Sequence, residues 1–64
     1  MQDYQKRMVQ EAEELTGKIE RLDAFVKSKL FESLSLIKCQ LLTKQLVAME
    51  EYLYYLQKRI NLEQ

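Results

Sequence analysis

Apolar side chains recur along this chain in two long stretches, at alternating steps of four and three residues. Met8, Ala12, Leu15, Ile19, Leu22 and Val26 make the first series, and Leu42, Leu46, Met49, Leu53, Leu56 and Ile60 the second. Such spacing places side chains on one stripe of an α-helix. The seven-residue repeat is that of a coiled coil, with Ala12, Ile19 and Val26 at a and Met8, Leu15 and Leu22 at d. The pattern predicts one helix over about 3–26 and another over about 36–62. At 1.5 Å per residue the second is ~40 Å long. No Pro interrupts either stretch. Gly17 falls inside the first and costs ~1 kcal/mol against Ala; it is either a tolerated surface glycine or a point where another helix or a ligand approaches the backbone.

Between the two series the pattern breaks at residues 27–35, KSKLFESLS. Three serines, two lysines and the apolar group Leu30, Phe31 and Leu34 predict a connection with one helical turn whose apolar side covers the end of the core. Asp3 can cap the first helix or favour the positive end of its dipole. Ser35 suits the N-cap of the second, and Lys38 at its N3 position leaves no capping box. A short connection between two equally long helices predicts an antiparallel hairpin. Folding about Phe31 matches Val26 with Cys39, Leu22 with Leu42, Ile19 with Leu46, Leu15 with Met49, Ala12 with Leu53 and Met8 with Leu56. The residue numbers of every pair add to 64 or 65, so both apolar series agree on one register. The expected fold is all-α: a single coiled-coil-like two-helix hairpin spanning 1–64.

Composition adds a constraint. A chain of 64 residues buries only roughly 60% of its unfolded surface, and domains this small usually need disulfides, a metal or oligomerisation. Cys39 is the single cysteine and there is no His, which excludes an intramolecular disulfide and argues against structural zinc. A homo-oligomer is therefore expected. Ten acidic and ten basic residues cancel, which argues against a nucleic-acid polymer as partner, since phosphate neutralisation needs a basic excess. No apolar run is long enough to span a bilayer, no signal peptide is read, and a free thiol fits a reducing cytoplasm.

Chemistry beside the apolar stripe divides between two flanks. One pairs Val9 with Tyr54 and Thr16 with Val47, an apolar margin; Val9, Val47, Tyr54 and Tyr55 are the candidate oligomer contacts. The other pairs Lys18 with Gln45, Glu11 with Tyr52 and Tyr4 with Arg59, widened by Leu41, Ala48, Tyr55, Arg7, Glu14 and Arg21. That flank reads either as a polar seam setting register, in which Glu11 and Gln45 take part, or as a recognition surface. In the second reading Tyr4, Arg7, Lys18, Tyr52 and Arg59 are the candidate ligand-binding residues, since Tyr and Arg are enriched where planar groups are bound. Catalytic chemistry is not read here. Cys39 sits at a core position, where a thiol is packing; Glu13–Glu14 and Glu50–Glu51 read as charged surface; and no phosphate loop or metal-spaced set occurs. A non-enzymatic protein without a cofactor is expected.

The series Tyr4, Arg7, Glu11, Leu15, Lys18-Ile19, Leu22 and Phe25, then Phe31 and Leu34, then Leu41-Leu42, Gln45, Met49, Tyr52, Leu56 and Arg59-Ile60 resembles a family of small bacteriophage proteins related to those of crAss-like phages. More distantly, Glu14-Leu15 through Glu20-Arg21-Leu22 and the closing Arg59-Ile60 resemble the helical-hairpin module of phage anti-defence sponges. Those oligomerise and sequester the cyclic nucleotides with which CBASS and Thoeris systems signal infection. The likeness does not reach the longer N-terminal segment of those sponges, so no ligand residue is carried over from them. It implies a phage protein in the host cytoplasm that binds a cyclic di- or trinucleotide without altering it. The other reading is a homo-oligomeric module docking on a host or phage protein.

Overall fold

Helix initiation is set by glutamine rather than aspartate. In the computed structural model, which describes residues 2–63, Gln2 has an extended backbone (φ −70°, ψ 156°). Its backbone N–H donates to the Gln5 side chain at 2.7 Å. α1 then runs over Asp3–Val26. Asp3 therefore lies inside the first turn rather than at the N-cap, where its charge complements the helix dipole.

The connection is built by three serines. Ser28 Oγ accepts from Phe31 N–H at 3.3 Å and donates to Phe25 C=O at 2.6 Å, closing α1 and starting α2 (Lys29–Glu32). Ser33 Oγ donates to Leu30 C=O at 2.6 Å as α2 ends. Ser35 Oγ accepts from Lys38 N–H at 3.4 Å at the head of α3 (Leu36–Glu63). Phe31 turns inward and meets Phe25 edge-on, with centroids 6.1 Å apart and planes at 85°. Leu34 is half-buried beside it, whereas Leu30 points to solvent at 70% exposure and does not join that group. The Cys39 thiol lies 3.3 Å from Phe31 C=O and 3.8 Å from Leu34 C=O, tying the connection to α3.

All three elements are helical, and no strand occurs among the described residues. α3 packs along α1, giving a rod of 46 × 15 × 13 Å. Side chains near the start of α1 meet those near the end of α3: Gln5 Nε2 donates to Glu63 C=O at 2.7 Å. Met8, Ala12, Leu46 and Leu56 are buried, and the remaining members of both apolar series are half-buried. Met8, Ala12 and Leu56 form one cluster against Leu53 and Ile60. Leu56, 2% exposed, contributes most, since full burial of a Leu side chain is worth roughly 1.5–3 kcal/mol. A rod two helices wide encloses little else. Leu36, Ile37, Leu41, Val47, Tyr52, Tyr54 and Tyr55 remain exposed along α3.

Candidate functional site

Ala48 lies on a flank where α1 and α3 leave a groove between them. On α3 it lies between Gln45 and Tyr52, one turn from each, and its methyl group fills little of the space their side chains frame. Beneath that gap the Leu15–Met49 layer is half-buried and forms an apolar floor. Glu11, Glu14 and Lys18 close the groove from α1, and Gln45 and Tyr52 from α3. Its volume is about 330 Å³, at the lower end of the range for small-molecule sites, roughly 300–1,000 Å³.

Two phenol–carboxylate bonds hold the flank together. Tyr52 Oη donates to Glu11 Oε2 at 2.5 Å. Tyr4 Oη donates to Glu63 Oε2 at 2.5 Å. Each carboxylate accepts the phenolic proton, so each phenol's pKa is raised, mainly by that hydrogen bond and further by the carboxylate's charge and some desolvation. At Tyr52 the nearby Arg59 charge works weakly in the other direction.

The expected pairs fare differently. Glu11 and Tyr52 are joined. Tyr4 bonds to Glu63 instead of Arg59, for a geometric reason: side chains lean toward the N-terminus of their own helix. Tyr4 leans past Arg59 toward the open end, and Glu63 leans back to meet it. Gln45 faces Lys18 across the groove but turns its amide toward Met49 Sδ at 3.9 Å. Of the candidate ligand residues, Lys18 and Tyr52 line the groove. Arg59 lines a smaller depression of about 210 Å³ with Tyr52, Tyr55 and Leu56, and Tyr4 belongs to the clasp at the open end. Arg7 lines neither hollow and is exposed on the first turns of α1. Sequence reasoning missed Glu63, one turn past Arg59, and the part played by Leu15, Ala48 and Met49 as groove lining. The available signal was a small residue between two long polar ones on the flank of α3.

Among the candidate oligomer contacts, Val9 is half-buried, whereas Val47, Tyr54 and Tyr55 are exposed. Tyr54 stacks edge-on against Tyr55, with centroids 5.2 Å apart, and receives the Lys58 ammonium at 5.2 Å from its centroid. Gly17 serves no close approach: a Cβ there meets only the Arg21 guanidinium, at 3.3 Å. The Cys39 thiol is half-buried and free. No group of three or more metal-ligating side chains occurs among the described residues, and no helix is long and apolar enough to cross a membrane.

Comparison with known proteins adds the lineage. The model of the Sequestin family matches residues 2–62, nearly the whole chain. The chain belongs to the Sequestin family. A relative in Enterobacteria phage T4, described as the uncharacterized 7.5 kDa protein of the denB-rIIB intergenic region, is 37% identical over 57 residues. The alignment covers 89% of each chain, so the likeness extends over most of both chains rather than a local motif. No solved structure matches. The Sequestin match spans both long helices and the connection, and every groove residue lies within it.

Proposed function

We propose that this Sequestin is a non-enzymatic phage protein that binds and retains a cyclic di- or trinucleotide signal of the host, acting in the host cytoplasm as a homo-oligomer of antiparallel helical hairpins. The groove between Lys18 and Tyr52 is the observation that carries the reading. Its apolar floor suits the face of a nucleobase, the Gln45 amide suits a base edge, and the Lys18 ammonium suits a phosphate. The exposed ring of Tyr52 adds a stacking surface. Arg7 and Arg59 lie beyond the groove, where a ligand larger than one base extends. The family name agrees with retention of a molecule rather than its conversion, and the relative in phage T4 agrees with a phage protein. No base, nucleophile or metal is needed, because removing a signal from circulation requires binding alone.

The test is thermal unfolding of the full chain with a panel of cyclic di- and trinucleotides. A ligand at roughly a hundredfold over its Kd stabilises the folded state by about 2.7 kcal/mol, and the melting temperature rises. Lys18→Ala and Tyr52→Ala abolish that rise, and the nucleotide released by heating is chemically unchanged. If no panel member raises the melting temperature at concentrations far above micromolar, the reading is wrong.

The exposed Tyr54–Tyr55 pair favours a second reading, a homo-oligomeric module that docks on a host or phage protein. Affinity capture from infected cells separates the two. A stoichiometric protein partner that survives washing, with no small molecule recovered, supports docking.

A further inference from the structure

The exposed face of α3 carries a pattern that the core does not use and that meets the groove only at Ala48. Ile37, Leu41, Ala48, Tyr55 and Arg59 all lie within roughly 20° of one line along the helix at 100° per residue. Ile37 and Leu41 are each 61% exposed and Tyr55 is 63% exposed; Ala48 and Arg59 are exposed too. The line is symmetric about Ala48: Leu41 and Tyr55 stand seven residues to either side, and Ile37 and Arg59 eleven to either side. Lys44 and Tyr52, four residues to either side, flank it symmetrically.

We infer that a second copy of this chain seats its α3 antiparallel on this face, with the two-fold axis at Ala48. The inference rests on the homo-oligomer of the proposed function and names its contact surface. A two-fold about Ala48 lays Leu41 against the partner's Tyr55, Ile37 beside the partner's Arg59, and Lys44 beside the partner's Glu51. Apolar meets aromatic, and cation meets carboxylate. The small side chain at the axis lets the two helices approach closely. An isologous contact of this kind requires a self-complementary patch, and the symmetric spacing supplies one.

The area agrees. A compact monomer of 7.7 kDa leaves about 4,300 Å² accessible by the mass scaling of folded proteins. This chain leaves 5236 Å² accessible. The excess of ~900 Å² is close to one partner's share of a standard interface, about 800 Å².

The contact also bears on the groove. Ala48 belongs to both the line and the groove, so the two-fold brings two grooves together at one axis, each roofed by the other copy's α3. On the groove flank the second copy adds the partner's Tyr52, a further ring for stacking.

The test is disulfide trapping in the full chain with Cys39→Ser. Ala48→Cys sits on the axis and pairs with itself; a disulfide needs Cα atoms within roughly 7 Å. Gentle oxidation converts most of this variant to a covalent dimer, whereas Val47→Cys, also at an exposed position but on the apolar margin, stays monomeric on a denaturing gel. In parallel, light scattering of the unaltered chain gives twice 7.7 kDa, and Leu41→Glu or Tyr55→Glu halves that mass while Val47→Glu does not. A monomeric mass for the unaltered chain, or trapping through Val47→Cys in place of Ala48→Cys, overturns the inference. Nucleotide-induced stabilisation persisting in a monomer overturns this contact and leaves the ligand reading standing. Trapping through Ala48→Cys with no response to any nucleotide does the reverse.

Discussion

At the scale of the residue, the two phenol–carboxylate bonds are the most specific interactions joining α1 to α3. Each phenol donates to a carboxylate, Tyr52 to Glu11 and Tyr4 to Glu63, and each has its pKa raised by that bond. A group whose pKa is higher in the folded state stabilises that state below the unfolded pKa, and the contribution is lost as pH rises through the folded pKa. For tyrosine this window begins near pH ~10. The melting temperature is therefore expected to fall above pH ~10 in the unaltered chain, and to fall less in Tyr4→Phe/Tyr52→Phe, followed by circular dichroism with phenolate absorbance as the titration signal. An equal fall in both proteins assigns the alkaline loss to other groups. Only one of these bonds was legible beforehand. Glu11 and Tyr52 face each other at matching flank positions. Glu63 lies one turn beyond the position that register alone assigns to Tyr4, and the lean of side chains along a helix closes that gap.

At the scale of the element, α1 carries a glycine that the tertiary structure does not require. Gly17 is helical, no positive φ occurs among the described residues, and the added methyl meets only the far end of the flexible, exposed Arg21 side chain. That guanidinium can move aside by a few tenths of an ångström. Gly17→Ala is expected to stabilise the protein by roughly 0.5–1 kcal/mol, the helix-propensity difference, measured by urea unfolding. A loss of stability shows that the backbone at Gly17 is approached by something beyond the single chain. The connection illustrates the opposite case. Its three serines signalled a break in the helix, and their hydroxyls make the cap bonds that begin and end α2 and begin α3. The direction of Leu30 was not legible, because a four-residue helix has no periodicity from which to choose its inner face.

At the scale of the whole molecule, the four side chains buried among the described residues are a small core for a domain that must offset the conformational entropy of its ordered residues. A chain stabilised by self-association has a melting temperature that depends on protein concentration, whereas a monomer's does not. The midpoint is expected to rise over a range of roughly 1–100 µM, measured by circular dichroism in cells of different path length. A midpoint independent of concentration shows that the single chain is stable alone and removes the entropic case for a partner.

The sequence by itself determined the helices and the stripe that each buries. Both depend on local rules: steps of four and three place apolar groups on one face, and the serines mark where the helix must stop. It also narrowed the register, because two apolar series of equal length overlay in one way without exposing their members. Only the tertiary structure decided what lies beside that stripe. Whether Tyr4 reaches Arg59 or Glu63, whether the Gln45 amide turns to Lys18 or Met49, and whether a small residue at 48 leaves a groove all depend on where long side chains lean once two helices are in contact. Those directions are set by neighbours distant in sequence, which periodicity cannot express. The same separation applies to Ala48, which along the chain only widens the polar flank and which stands at the centre of a groove once Leu15 and Met49 form its floor.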